Sequence, residues 1–105
     1  MIVFNTTYAV HESVDAQWLD YVRNELIARM LLDGFTAPRL MVIDHQVERG
    51  YRNYALQFEH PGDEAFSDWQ SVAKSRYDAS LRRAFGEKVL SFSTMMTPLD
   101  LSTQK

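Results

Sequence analysis

The chain has 105 residues and a mass of 12.2 kDa, which is short for more than one domain yet long enough to bury a core without staples. Eleven basic against fourteen acidic side chains give a net charge of −3, and 46% hydrophobic with 24% charged residues is ordinary globular composition that excludes a disordered chain. Cysteine is absent, so disulfide scaffolds, thiolate zinc sites, iron–sulfur clusters and cysteine nucleophiles are excluded. No apolar run reaches the ~18 residues of a membrane span. The opening Met1-Ile2-Val3-Phe4-Asn5-Thr6 lacks a basic segment followed by an apolar block. The expected location is the cytoplasm, with neither membrane nor nucleic acid as a partner, since mild acidity disfavours both.

Ile2 to Val10 alternates, with Ile2, Phe4, Tyr8 and Val10 on one parity and Val3, Asn5, Thr7 and Ala9 on the other. Its β-branched and aromatic content predicts a strand with one more polar face. Ser13 is expected to cap a helix with Asp15 in its first turn. Trp18, Val22, Leu26 and Met30 then form one apolar stripe, and Gly34 stops the helix. Arg39–Val47 and Tyr51–Glu59 read as a hairpin closed by Glu48-Arg49-Gly50, a type I turn ending in a left-handed glycine. That turn pairs Arg39 with Glu59, Met41 with Gln57, Ile43 with Ala55 and His45 with Asn53. The opposite parity sets Leu40 against Phe58, Val42 against Leu56 and Asp44 against Tyr54, and being mostly apolar it should face the core. Pro61-Gly62-Asp63 is a turn. A helix over 64–85 places Phe66, Trp69, Ala73, Tyr77, Leu81 and Phe85 inward, and Gly86 closes it. Lys88 to Thr97 is a last strand, with Leu90 and Phe92 assigned to the core and Ser91, Ser93 and Met95 to the other face. Residues 1–98 thus form one domain, followed by a polar, frayed tail over 99–105.

The order β-α-β-β-α-β is the ferredoxin-like α+β arrangement, a four-stranded antiparallel sheet in the order 4-1-3-2 with two helices on one face. The other face is then open. About half of its expected residues are apolar (Val3, Ala9, Met41, Ile43, Val47 and Ala55 among them), and an apolar patch of that size marks an interface. The expectation is a homodimer with two sheets face to face, as in a dimeric α/β barrel.

Phe4-Asn5-Thr6-Thr7, Trp18-Leu19, Phe35-Thr36-Ala37-Pro38-Arg39-Leu40, Tyr54-Ala55-Leu56-Gln57-Phe58 and Phe85-Gly86-Glu87-Lys88-Val89-Leu90-Ser91-Phe92 together resemble the bacterial domain of unknown function 4286 family. The resemblance spans nearly the whole chain. It implies the fold of the dimeric α/β-barrel proteins and therefore a dimer, but it supplies no activity and no catalytic residues. The pattern also places His where this chain has Leu26 and Arg where it has Ser93, so no role at those positions carries over.

For ligand binding, Asn5, Thr7, Arg39, Gln57 and His45 are the candidates on the open face. The amides of Asn5 and Gln57 lie on adjacent central strands, where they can fix a ligand's hydrogen bonds. Arg39 offers a planar fork to a carboxylate, unless it is held in an ion pair with Glu59. His45, near the hairpin tip, is of the residue type that serves as a switch near neutral pH. His11, His45 and His60 have no metal-ligand spacing, and no cofactor or metal is expected. No GxSxG, GxGxxG or P-loop pattern occurs. Arg49-Gly50-Tyr51 matches the start of an RNA-recognition strand, but Arg52, Asn53 and Leu56 break the pattern, and Tyr54 and Phe58 have core parity. The leading expectation is a small homodimer holding a small ligand or a partner between its open faces. The alternatives are a cofactor-independent, monooxygenase-like barrel enzyme and a purely structural assembly module.

Overall fold

The computed structural model describes residues 1–44, 48–62 and 64–102. Strand β1 (Ile2–His11) leads through a 3-10 turn (Glu12–Val14) into a helical stretch over 15–32. That stretch comprises α1 (Asp15–Tyr21), a π-helical turn (Val22–Leu26) and α2 (Ile27–Leu32). Strands β2 (Thr36–Val42) and β3 (Tyr51–His60) follow. After α3 (Glu64–Val72), α4 (Lys74–Phe85) and a 3-10 turn (Gly86–Lys88), β4 (Val89–Met96) ends the sheet. The strands run in the order β2-β3-β1-β4, all antiparallel. This is the expected ferredoxin-like order, with β1 and β3 central. The molecule is a two-layer slab only 20 Å through its thinnest dimension.

The core lies between sheet and helices. Phe4, Tyr8 and Val10 of β1 and Tyr54, Leu56 and Phe58 of β3 meet Trp18, Val22, Leu26 and Met30 of the first helical stretch and Phe66, Trp69 and Leu81 of the second. Two aromatic groups fill it. Phe35 packs on Trp69 at 4.7 Å between ring centres and on His60 at 4.9 Å. Trp18 lies between Tyr8 at 4.9 Å and Tyr54 at 4.7 Å. Such tilted pairs add to the area that each ring removes from water. Phe35, immediately after the helix-stopping Gly34, is a core residue that hydrophobic periodicity did not mark, because it belongs to no stripe.

Asp33 fastens the two helical layers together. Its Oδ2 accepts the indole N–H of Trp69 at 2.9 Å and the hydroxyl of Tyr77 at 2.7 Å. Trp69 is buried, so removing the acceptor leaves a buried donor unpaired. Asp33→Ala is expected to cost about 2–3 kcal/mol in urea unfolding, and Asp33→Asn, which keeps one acceptor oxygen, about half of that. Equal stability of Asp33→Ala and the parent would show that these bonds contribute nothing net.

Four sequence expectations are corrected. The helix over 64–85 is broken at Ala73, whose amide still donates to the Trp69 carbonyl at 2.8 Å while Arg76 and Tyr77 restart the ladder from the Ala73 carbonyl. Ser13 does not cap the α-helix; its amide donates to His11 Nδ1 at 3.1 Å in the 3-10 turn, and α1 begins at Asp15.

The hairpin register is shifted by two residues. Arg39 lies opposite Gln57, Met41 opposite Ala55, and the Ile43 amide donates to the Asn53 carbonyl at 2.8 Å. Beyond Arg39 a bulge moves the register one residue further, to Thr36 opposite Glu59, with Ala37 at φ 53° beside Pro38 on this edge strand; proline is tolerated at such a place because the edge needs no ladder donor there. Parity survives a two-residue slip, so the alternating pattern could not detect it. Asp44 is thereby freed from Tyr54, whose hydroxyl instead donates to Asp15 Oδ1 at 2.5 Å. Burial first, and then that bond, raise the Tyr54 hydroxyl above the ordinary tyrosine range.

The parity of β4 is the reverse of that expected. Val89 is buried opposite Val10, Ser91 lies opposite Tyr8 and Ser93 opposite Thr6, all on the helix side. Leu90, Phe92, Thr94 and Met96 share the open face with Ala9, Thr7, Asn5 and Val3. The 3-10 turn after Gly86 delivers Val89 beneath the helices, and this one buried contact fixes the whole strand.

Candidate functional site

The open face reads as successive rows across the sheet. Met96, Val3 and Glu59 form one; Thr94, Asn5, Gln57 and Arg39 the next; then Phe92, Thr7, Ala55 and Met41; then Leu90, Ala9, Asn53 and Ile43. Phe92 is 65% exposed, Leu90 53% and Met96 41%. The face is therefore more apolar than its sequence suggested, because β4 turns its large side chains outward. A band of this kind beside a polar row is costly to leave in water.

The register shift brings three of the predicted residues together. Arg39 joins the row of Asn5 and Gln57 instead of meeting Glu59, and among the described residues it has no ion pair. Thr7 stands next to that row, and its Oγ1 accepts from Asn5 Nδ2 at 3.3 Å. The Oδ1 of Asn5 is buried and has no hydrogen-bond partner, so the carboxamide leaves one acceptor unsatisfied, a costly state. His45 lies outside the described residues.

A concavity of about 450 Å³ opens beside this row, walled by Leu90, Phe92, Tyr51 and Ile43, with Thr7 and Asn53 also lining it. Among the described residues Thr7 is thus the one predicted site residue on its wall; Asn5, Gln57 and Arg39 do not line it and stand one row further along the sheet. Phe92 and Leu90 were missed because their strand was assigned the wrong parity. Asn53 was missed because it was placed opposite a hairpin-tip residue. The aromatics Tyr54 and Phe58 are buried in the core, as their parity dictates. Among the described residues no three His, Cys, Asp or Glu side chains are grouped to hold a metal, and no helix is long and apolar enough to cross a membrane.

A four-stranded antiparallel sheet with helices on one face and a broad uncovered face on the other defines a ferredoxin-like α+β protein. Two solved structures share that architecture. A dimeric ferredoxin-like protein from an uncultured marine organism matches with a TM-score of 0.55 at 11% identity, over 96% of this chain and 99% of that one. A putative antibiotic biosynthesis monooxygenase from Bacillus cereus matches with a TM-score of 0.54 at 15% identity, over 96% and 97%. At such identities the likeness is one of fold. Residues 1–99 match the model of the domain of unknown function DUF4286, and the chain belongs to that family. No curated protein matches the chain.

Proposed function

We propose that this protein works as a cytoplasmic homodimer whose two open sheets pack face to face and enclose a small, partly polar ligand. The observation that carries this reading is the apolar band of exposed Phe92 and Leu90 with half-buried Met41 and Ala55, lying against the polar row of Asn5, Gln57 and Arg39. The band supplies the association energy. The row supplies directed polar groups, the carboxamides of Asn5 and Gln57 and the Arg39 guanidinium, which can hold a carboxylate in two-point contact. The neighbour described as dimeric supports pairing by fold analogy.

Native mass spectrometry on protein purified without added ligand tests both halves. The expected spectrum is a dimer carrying a reproducible extra mass. The Asn5→Ala/Gln57→Ala double variant is expected to remain dimeric and to lose that mass at least tenfold in occupancy, since each lost hydrogen bond to a desolvated ligand costs about 1 kcal/mol or more. Unchanged occupancy in the double variant would remove these residues from the site. A bound molecule that is consumed with uptake of oxygen would mark the protein as an enzyme of the barrel type. A dimer with no bound mass would mark it as an assembly module.

A further inference from the structure

The two edges of the sheet differ in kind. The β2 edge is blunted: it carries Arg39, and Ala37 at φ 53° with Pro38 breaks its register against β3. Bulges, proline and charge are the means by which a sheet keeps other chains off its edge. The β4 edge has none of them. Val89–Met96 runs for 8 residues without proline, glycine or charge. Among the described residues it pairs with β1 on one side and with no strand on the other. Alternate N–H and C=O groups of β4 therefore face outward, ready to continue the ladder. Large apolar side chains flank that edge on both faces, Leu90, Phe92 and Met96 on the open face and Met95 on the helix side, all of them exposed.

The chain beyond β4 has no seat on its own subunit. Leu99 is 82% exposed and Leu101 89%. The longest dimension is 51 Å, and the radius of gyration is 15.0 Å, where a compact chain of this length has ~13 Å. The segment after Met96 thus carries two leucines in water, next to an unpaired and uncharged edge.

We infer that this edge is an interface for a second copy of the chain: two β4 strands pair antiparallel about a two-fold axis and join two sheets into one. An uncharged strand sets no like charges against its own copy. Antiparallel pairing centred on mid-strand carries each tail past the partner's Val89, alongside the Gly86–Lys88 turn and the end of α4. Arg82, Arg83 and Lys88 outnumber Glu87 there, and the tail brings Asp100, whose Oδ1 accepts from the amide and hydroxyl of Ser102. Parallel pairing would instead set the two Asp100 carboxylates side by side. Addition of β4 to the β2 edge of another copy would run on as a filament, and the bulge and proline of β2 oppose it; pairing of β4 with β4 closes. The contact uses the edge of the sheet, so it is compatible with the open-face dimer proposed above and does not rest on it. A strand edge buries less surface than a sheet face, and small interfaces are weak. Dimers therefore join into tetramers as concentration rises.

Sedimentation velocity over a wide concentration series tests this, together with amide hydrogen exchange. The parent is expected to pass from dimer to tetramer, with alternate β4 amides gaining protection in step. Phe92 belongs to both interfaces, so the decisive variants lie elsewhere. Ser91→Lys and Met95→Lys, both on the helix side of β4, should remain dimers, the edge contact weakened at least tenfold because a two-fold axis meets each lysine twice. Met41→Glu, on the open face of β2, should pass only from monomer to dimer. Circular dichroism checks each fold, and either lysine variant suffices if the other fails to fold. A parent dimer that the lysines dissolve and Met41→Glu leaves intact would support the edge contact and remove the open-face reading alone. Assembly unchanged in the lysine variants, or β4 amides whose exchange does not depend on concentration, would overturn the edge contact and leave the open-face reading standing.

Discussion

Phe92→Glu is expected to turn the proposed dimer into monomers while leaving the fold intact. Phe92 is 65% exposed in the single chain and lies opposite Thr7 on the open face, away from the core. Its replacement removes little packing within the subunit, so far-UV circular dichroism and the urea midpoint should be nearly unchanged. At a two-fold interface each substitution counts twice. Losing a buried phenyl ring costs about 1.5–3 kcal/mol, and a carboxylate facing an apolar partner adds more. The dimer dissociation constant should rise by a factor of at least ~100, since every 1.4 kcal/mol is tenfold. Sedimentation velocity across a concentration series reads this directly. A variant that dimerises as tightly as the parent would place the interface elsewhere and return the open face to solvent or to another partner. Because Leu90 flanks Phe92 on the same strand and face, Leu90→Glu serves as an independent check with the same expected direction.

The second large effect concerns Trp18, the bulkiest of the fully buried side chains. It touches the rings of Tyr8 and Tyr54 and so joins the first helix to both central strands. Trp18→Ala is expected to lose about 3–5 kcal/mol in urea unfolding, from the lost transfer energy plus an unfilled cavity. That is a large part of the ~5–15 kcal/mol that holds a domain together. Trp18→Phe should be much milder, below about 1.5 kcal/mol. The indole Nε1 of Trp18 is buried with no hydrogen-bond partner, so phenylalanine removes an unsatisfied donor along with volume. Equal losses for the two variants would show that the indole nitrogen is satisfied after all. The Tyr8 hydroxyl lies against this cluster, and burial, with Tyr21 and Asp78 nearby, raises it well above the ordinary tyrosine range.

Several features were legible in the sequence because each rests on a short-range rule. The stripe Trp18, Val22, Leu26, Met30 repeats at the helical period, and all four are buried. Gly34 and Gly50 take the positive φ angles that their stop and turn positions require, 98° and 85°. The alternation in β1 assigned both of its faces correctly, since Phe4, Tyr8 and Val10 are buried and Val3, Asn5, Thr7 and Ala9 are not. With β1 and β3 central, Asn5 and Gln57 could be named as neighbours in advance, and they are register partners.

What the strand pattern left open shares one cause, the degeneracy of a period of two. A strand's pattern is unchanged by a slip of two residues, so nothing local distinguished Arg39 against Glu59 from Arg39 against Gln57. The pairing made by the folded hairpin, with Val42 opposite Tyr54, decided it, and with it whether Arg39 is an ordinary ion-pair partner or a member of the polar row. In β4 both parities carry apolar side chains, Leu90 and Phe92 on one and Val89 and Met95 on the other. Only docking of Val89 against Val10 beneath the helices chose between them. That single contact exposes Phe92 on the open face and turns Ser91 and Ser93 towards α4. Local propensity and hydrophobic period thus determined which segments are helix or strand and their order in the sheet. The composition of the two faces of the edge strand, and therefore the candidate site on the open face, was decided by tertiary packing, because the energy that separates the alternatives belongs to contacts between residues far apart in the chain.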